Sequence, residues 1–209
     1  MGSVVVVDGW QLSRKRCGST GITLPLGFVV VSIYLSTMIK IYRIDTARMA
    51  GWDYGARGAY FITINVRYRK HSFGEVVGDR VVLSRLGRFA EEAWRETPRI
   101  RPEMALQLGA FVVMPDHFHA ILVIGDNRFN GKHRKSMFGP QSHNLASVVR
   151  GFKSSVTSFA RREGIPFEWQ PRFYDSIIRS RLGYSKVTAY IEKNPANWSL
   201  QKKSGLPPR

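Results

Sequence analysis

Residues 108–124 constrain the fold of this chain more than any other stretch. Residues 108–113 and 117–124 are two apolar runs that read as strands, and they meet at Met114-Pro115-Asp116. Pro115 has no N–H to give to a sheet ladder, so the break belongs there and the two runs form a hairpin. Side chains alternate along a strand, which sets His117 and His119 on one face and Phe118, Ala120 and Leu122 on the other. Two imidazoles two residues apart on a rigid strand are a ready pair of metal ligands. The same spacing also occurs in histidines that merely pack, so the remainder of the chain has to decide between the two readings.

Charge supplies the next constraint. Thirty-two Lys and Arg stand against 15 Asp and Glu, a net charge of +17 and a pI near 10.6. That excess is larger than solubility requires and points to a polyanionic partner, nucleic acid before membrane. A ribosome-associated or simply basic protein is the alternative. The 209 residues suit one domain with an appendage. Cys17 is the single cysteine, which excludes an internal disulfide framework and a thiolate zinc cluster and fits a reducing, cytoplasmic setting.

Residues 1–40 differ in character from the rest of the chain. Arg14-Lys15-Arg16 precedes an apolar run from Ile22 to Met38, in the order of a signal sequence or membrane anchor. Gly21 precedes the run and Pro25, Gly27, Ser32 and Ser36 break it, and it lacks a small-x-small cleavage site, so an extension upstream of a domain over 41–198 is the preferred reading. From Tyr60 the chain alternates as a strand. Tyr60, Ile62, Ile64, Val66 and Tyr68 fall on one face, and Phe61, Thr63, Asn65, Arg67 and Arg69 on the other. That second face is either a solvated sheet surface or the floor of a nucleic-acid groove. Gly74, Gly78 and Asp79 mark turns. Leu83, Leu86, Phe89, Ala90, Ala93 and Trp94 then recur at helical spacing, in a helix that Pro98 is expected to close.

After the hairpin, Gly125 to Ser142 is polar and aperiodic and reads as a loop, with His133 and His143 in or beside it as solvated groups rather than ligands. Asn144 caps a helix striped by Leu145, Val148, Val149, Phe152, Val156 and Phe159, and Arg150 and Lys153 lie off that stripe as phosphate contacts or a solvated face. Gly164-Ile165-Pro166 ends it. Phe167 to Ile178 mixes aromatics with Arg172, and Arg179 comes next. A last helix over 185–194, stopped by Pro195, carries Tyr190 and Asn194 on one face, ahead of a basic tail over 199–209. No internal repeat and no Gly-rich phosphate loop is present, which argues against a nucleotide cofactor.

These residues together resemble the REP-associated tyrosine transposases, within the single-tyrosine HUH DNA transposases, over about Tyr42 to Trp198. The resemblance rests on Trp52-Asp53-Tyr54, Gly58-Ala59-Tyr60-Phe61-Ile62-Thr63, Val113-Met114-Pro115-Asp116-His117-Phe118-His119, Phe152-Lys153-Ser154, Trp169-Gln170-Pro171-Arg172-Phe173-Tyr174-Asp175 and Tyr190-Ile191-Glu192-Lys193-Asn194-Pro195. Their order and spacing are specific where each alone is weak. The resemblance implies an α+β, ferredoxin-like (RRM-like) antiparallel sheet with helices packed on it and the histidine motif on a central strand. It also implies a DNA transposase or endonuclease acting on single-stranded or hairpin DNA. By the same carry-over His117, His119 and Asn194 hold a divalent ion, Mg²⁺ or Mn²⁺, and Tyr190 is the nucleophile. The DNA-contacting candidates are Arg67, Arg69, Arg150, Lys153, Arg172 and Arg179. Relatives act as monomers or homodimers, and either is expected.

The chemistry is consistent with that assignment. A phosphodiester repels nucleophiles, and a divalent cation on a non-bridging oxygen neutralises and orients it. Tyrosine is protonated near neutrality, so cationic surroundings help form a phenolate. A covalent 5′-phosphotyrosine conserves the bond energy, which allows rejoining without ATP. Tyr174 is the rival nucleophile, but its neighbours Trp169, Phe173, Ile177 and Ile178 suggest a buried or packing role. Tyr174-Asp175-Ser176-Ile177-Ile178-Arg179-Ser180-Arg181 departs from the Tyr-Asp-His-Ile-Ile-Arg-Asn-Glu of many family members, which bears on DNA-end recognition rather than on the proposed catalytic set. Three other readings stand beside this one: a non-catalytic nucleic-acid binder on a ferredoxin-like sheet, a relaxase or replication-initiator nickase, and a membrane-anchored basic protein.

Overall fold

The computed structural model describes residues 5–8, 11–14, 51–130 and 142–204, with side chains over 51–130 and 142–200. The expectations for Cys17, the apolar run over 22–38, His133 and the end of the tail lie outside the described residues. The chain divides into Met1–Thr46 and Ala47–Arg209. In the first unit β1 (Val5–Asp8) and β2 (Gln11–Arg14) pair antiparallel, in a stretch to which the sequence reading assigned no element.

The second unit is α+β. Its strands are β3 (Gly58–Asn65), β4 (Gly74–Val77), β5 (Arg80–Leu83), β6 (Leu106–Val113), β7 (His117–Ile124) and β8 (Tyr174–Ile178). Its helices are α1 (Arg85–Arg95), α2 (Thr97–Ile100), α3 (Leu145–Arg162), α4 (Arg181–Glu192) and α5 (Asn194–Ser204). Four strands form an antiparallel sheet in the order β6-β7-β3-β8, and β4 and β5 form a separate hairpin turned at Gly78, whose φ of 66° suits glycine. The hairpin predicted at 108–124 is present, and β7 has partners on both sides.

The sheet buries one face under α1 and α3. Tyr60, Ile62 and Ile64 of β3 and Phe118, Ala120 and Leu122 of β7 point into this core, as the alternation requires. Trp94 from α1 meets Phe118 and Phe152 edge-on at 5.1 and 5.2 Å, and Phe89 stacks on Phe159 at 4.0 Å. Helix α3 starts where Asn144 and Ser147 cap each other's backbone N–H groups, the expected start.

Three boundaries differ from the sequence reading. The strand from Tyr60 ends at Asn65, with Val66 making one further bridge to Trp169. Arg67–Arg69 form a single turn in which Tyr68 and Arg69 adopt φ of 55° and 53°, so Tyr68, predicted to face inward, is instead exposed. Pro98 does not close a helix; it lies in the first turn of α2, where a missing N–H costs nothing. Pro195 likewise falls in the first turn of α5, so the predicted helix over 185–194 is α4, ending at Glu192, followed by a second helix over most of the predicted tail. Among the described residues no helix is long and apolar enough to cross a membrane.

Trp94 is fully buried at the meeting point of α1, α3 and the sheet. Trp94→Ala is expected to lower unfolding free energy in urea by about 3–5 kcal/mol, and Tyr68→Ala to change it by less than about 0.5 kcal/mol.

Candidate active site

The face of the sheet opposite the core carries a cleft of about 650 Å³. Pairing of β3 with β7 sets Thr63 opposite His119 and Asn65 opposite His117. Each imidazole is held at Nδ1. Thr63 Oγ1 lies 2.8 Å from His119 Nδ1, and Asp116 Oδ1 lies 2.5 Å from His117 Nδ1. With both Nδ1 atoms so engaged, each ring has Nε2 left for the cleft, the arrangement in which a second partner fixes a ligand's orientation and tautomer. The rings stand 4.5 Å apart at 70° and are 5–6% exposed.

Asp116 is itself buried and pairs with Arg69, whose Nε is 3.0 Å from Asp116 Oδ2. Arg69 Nη1 donates to Asn65 Oδ1 at 2.9 Å. The left-handed turn at Tyr68 and Arg69 brings the guanidinium back over the end of β3, where it neutralises a carboxylate that would otherwise be costly to bury. Burial pushes the His119 pKa from its ordinary 6.5 down to about 3, with the adjacent His117 and Arg69 adding to the effect. His119 is therefore neutral at physiological pH.

Helices α4 and α5 close the cleft. Tyr190 on α4 is half-exposed, with its hydroxyl 3.5 Å from His119 Nε2 and its ring edge-on to Phe61 at 6.0 Å. Asn194 begins α5 rather than continuing the helix of Tyr190, which corrects the single-helix expectation, yet it is buried in the same cleft. Asn197 and Trp198 follow it into the wall, and the Trp198 ring lies 5.8 Å from His117 and 5.7 Å from His71. Tyr174 also lines the cleft and is 55% exposed, which overturns the buried role expected of it. It faces outward because Tyr174 pairs with Thr63, on the cleft side of the sheet.

The donor set fits a divalent ion. Two imidazoles and the Asn194 amide line the cleft, nitrogen and oxygen donors of the kind such an ion takes, and among the described residues no group of three His, Cys, Asp or Glu is placed to hold a metal. His143, expected to be solvated, stacks on Phe129 at 3.7 Å instead.

The six predicted DNA-contacting residues do not gather in one place. Arg69 lines the cleft. Arg67 is ion-paired to Glu168 beside it. Arg150, Lys153 and Arg172 line a separate depression of about 560 Å³ along α3. Lys153 donates to the carbonyls of Gln170 and Arg172 at 2.8 and 3.0 Å, and burial lowers its pKa. It ties α3 to the segment before β8. Arg179 lies over the Trp52 ring at 6.0 Å. Thr63, Asp116 and Trp198 were missed as site residues. Asp116 adjoins the first histidine and was the legible one; Thr63 needs the register and Trp198 needs α5.

No protein-family model matches the chain. It is 32% identical over 167 residues to an uncharacterized protein of Haemophilus influenzae, covering 76% of this chain and 91% of that one. It is 26% identical over 140 residues to a REP-associated tyrosine transposase of Escherichia coli, covering 66% of each. In structure it is similar to a REP-associated tyrosine transposase bound to a REP hairpin, with a TM-score of 0.50 and 23% identity over 72% of this chain and 74% of that one.

Because the unfolded chain binds a proton at His119 near pH 6.5 and the folded chain only near pH 3, unfolding takes up that proton between those values. The stabilisation is complete above pH 6.5 and is lost as the pH falls. Urea titrations from pH 7 to pH 4 are expected to show wild type losing up to about 1.4 kcal/mol per pH unit relative to His119→Gln. Parallel pH profiles would refute this.

Proposed function

The chain belongs to the family of REP-associated tyrosine transposases, and on that footing we propose that it cleaves and rejoins single-stranded or hairpin DNA through a 5′-phosphotyrosine. The observation that carries the reading is the Tyr190 hydroxyl 3.5 Å from His119 Nε2, in a cleft shared with His117 and Asn194. One chain supplies all four groups. The sheet order β6-β7-β3-β8, with α1 and α3 as crossovers on one face, supports a ferredoxin-like reading of the fold.

In this proposal Tyr190 Oη attacks the scissile phosphorus. A bond forms between Tyr190 and the 5′ phosphate, the bond from phosphorus to the 3′ oxygen breaks, and the phenol proton ends, net, on that 3′ oxygen. Attack by another 3′-OH reverses the exchange and releases Tyr190. His117, His119 and Asn194 would hold Mg²⁺ or Mn²⁺, which supplies positive charge to the phosphate oxygens when bound. His119 Nε2 has one lone pair, so it serves a metal ion or the Tyr190 hydroxyl, not both at once. Neutrality of His119 keeps that lone pair available. Asp116 and Thr63 orient the two rings. Tyr190 is preferred to Tyr174 because its hydroxyl lies beside His119. A cytoplasmic location is part of the proposal.

The test is covalent adduct formation with hairpin DNA drawn from repeats flanking the gene, with Mg²⁺ or Mn²⁺ and then with EDTA. Wild type and Tyr174→Phe are expected to form the adduct; Tyr190→Phe and EDTA-treated protein are not. His119→Ala is expected to lose at least about 100-fold in rate. An adduct that survives in Tyr190→Phe would overturn the assignment. Each cationic contact to a phosphate of a single strand adds about −0.7 to the slope of log affinity against log salt, so binding is expected to weaken steeply between low and physiological salt; a flat dependence would contradict DNA as the polyanion.

A further inference from the structure

Helix α4 packs across β6 and β7, the strand that carries the two histidines. At the crossing stands Gly109, in the irregular stretch of β6 where its ladder with β7 slips between Leu108 and Phe111. A Cβ at Gly109 would lie 2.5 Å from Tyr184 Oη, 2.8 Å from Ile121 Cβ and 3.0 Å from Ile121 Cγ2. These distances are well inside van der Waals contact, so the missing side chain is what permits the close approach. The two neighbours belong to the two halves of the site. Ile121 lies two residues from His119 on the same face of β7, and Tyr184 lies on the helix of Tyr190. From Tyr184 to Tyr190 is six residues, about 9 Å along the helix axis.

We propose that Gly109 is a positioning residue: its absent side chain sets how deeply α4 seats on the histidine strand, and so where the Tyr190 hydroxyl stands relative to His119. The functional consequence rests on the reading of Tyr190 as nucleophile; the positional claim does not. Ile121 meets the added methyl with its Cβ, at the root of a fully buried side chain that cannot retreat, whereas Tyr184 meets it with the tip of a partly exposed side chain on α4. A methyl at position 109 therefore displaces Tyr184, the side chain through which α4 seats on β6 at this point, and shifts the helix rather than the strand. Tyr190 moves with it, and a displacement of about 1 Å at a reacting group costs up to about 100-fold in rate. Gly151 is the matched control, because a Cβ there meets no atom closer than 3.6 Å.

The experiment uses the full chain with 3-fluorotyrosine at position 190, read by fluorine NMR, alongside adduct formation at saturating hairpin DNA. Gly109→Ala is expected to move the fluorine resonance and slow the adduct about 10- to 100-fold, with hairpin affinity unchanged. Adding Tyr184→Phe, which removes the atom at 2.5 Å, is expected to return the resonance toward wild type and recover part of the rate. Tyr184→Trp crowds the same contact from the helix side with the strand intact and is expected to repeat the Gly109→Ala effect, which keeps the proposal testable where Gly109→Ala does not fold. Gly151→Ala is expected to match wild type in both readouts. A resonance unmoved by both Gly109→Ala and Tyr184→Trp overturns the proposal, as does a rate loss that Tyr184→Phe does not relieve. Absence of any adduct in wild type would overturn the catalytic reading instead, and the fluorine shifts would still decide the role of Gly109.

Discussion

The register between β3 and β7 is the constraint on which the rest of the site depends. Thr63 opposite His119 and Asn65 opposite His117 place each imidazole beside the polar group that orients it or its neighbour. A slip of one residue would turn both histidines into the core and expose Phe118 and Ala120 in their place. The apolar face enforces the register, since Tyr60, Ile62, Ile64, Phe118, Ala120 and Leu122 must all be covered by α1 and α3 together. Hydrophobic burial on one side of the sheet thus holds a polar constellation on the other.

The polar face is stabilised by complete pairing rather than by exposure. Asp116 is buried between His117 and Arg69, and Arg69 reaches it only from a left-handed turn that ends the β3 ladder early. That local backbone cost is offset because a buried carboxylate with two hydrogen-bonded partners is far cheaper than one with a single partner. The consequence for chemistry is a rigid pair of rings, one of them held neutral by its surroundings, with Nε2 atoms toward the cleft. The second half of the site is the other wall. Helices α4 and α5 bring Tyr190, Asn194 and Trp198 to the histidines from outside the sheet, so their placement depends on helix packing and on the gap at Gly109.

Among the described residues the candidate cationic contacts are distributed rather than focused. Arg69 is in the cleft, while Arg150, Lys153 and Arg172 lie along α3 and Lys153 is half consumed by backbone carbonyls. A substrate with an extended phosphate backbone can touch several such places at once, and a small anion cannot.

The sequence by itself determined the hairpin at 108–124, the side of β7 on which His117 and His119 lie, the core face of β3, and the capped start of α3. Each of these is set by local alternation, by a proline or by a capping residue, and needs no knowledge of distant partners. It also brought forward His117, His119, Tyr190 and Asn194, through the order of short motifs. Tertiary structure decided what depends on partners far away in the chain. Val66-Arg67-Tyr68-Arg69 alternates as well as any strand, yet it leaves the sheet because Arg69 is drawn to Asp116, 47 positions on. Pro195 reads as a stop, and only the continuing chain shows it as a first-turn residue of α5. Tyr174 looked buried by its neighbours, but its pairing with Thr63 turns it to the cleft. Periodicity reports which face of an element a residue occupies; which other element covers that face is settled only when the strands and helices pack.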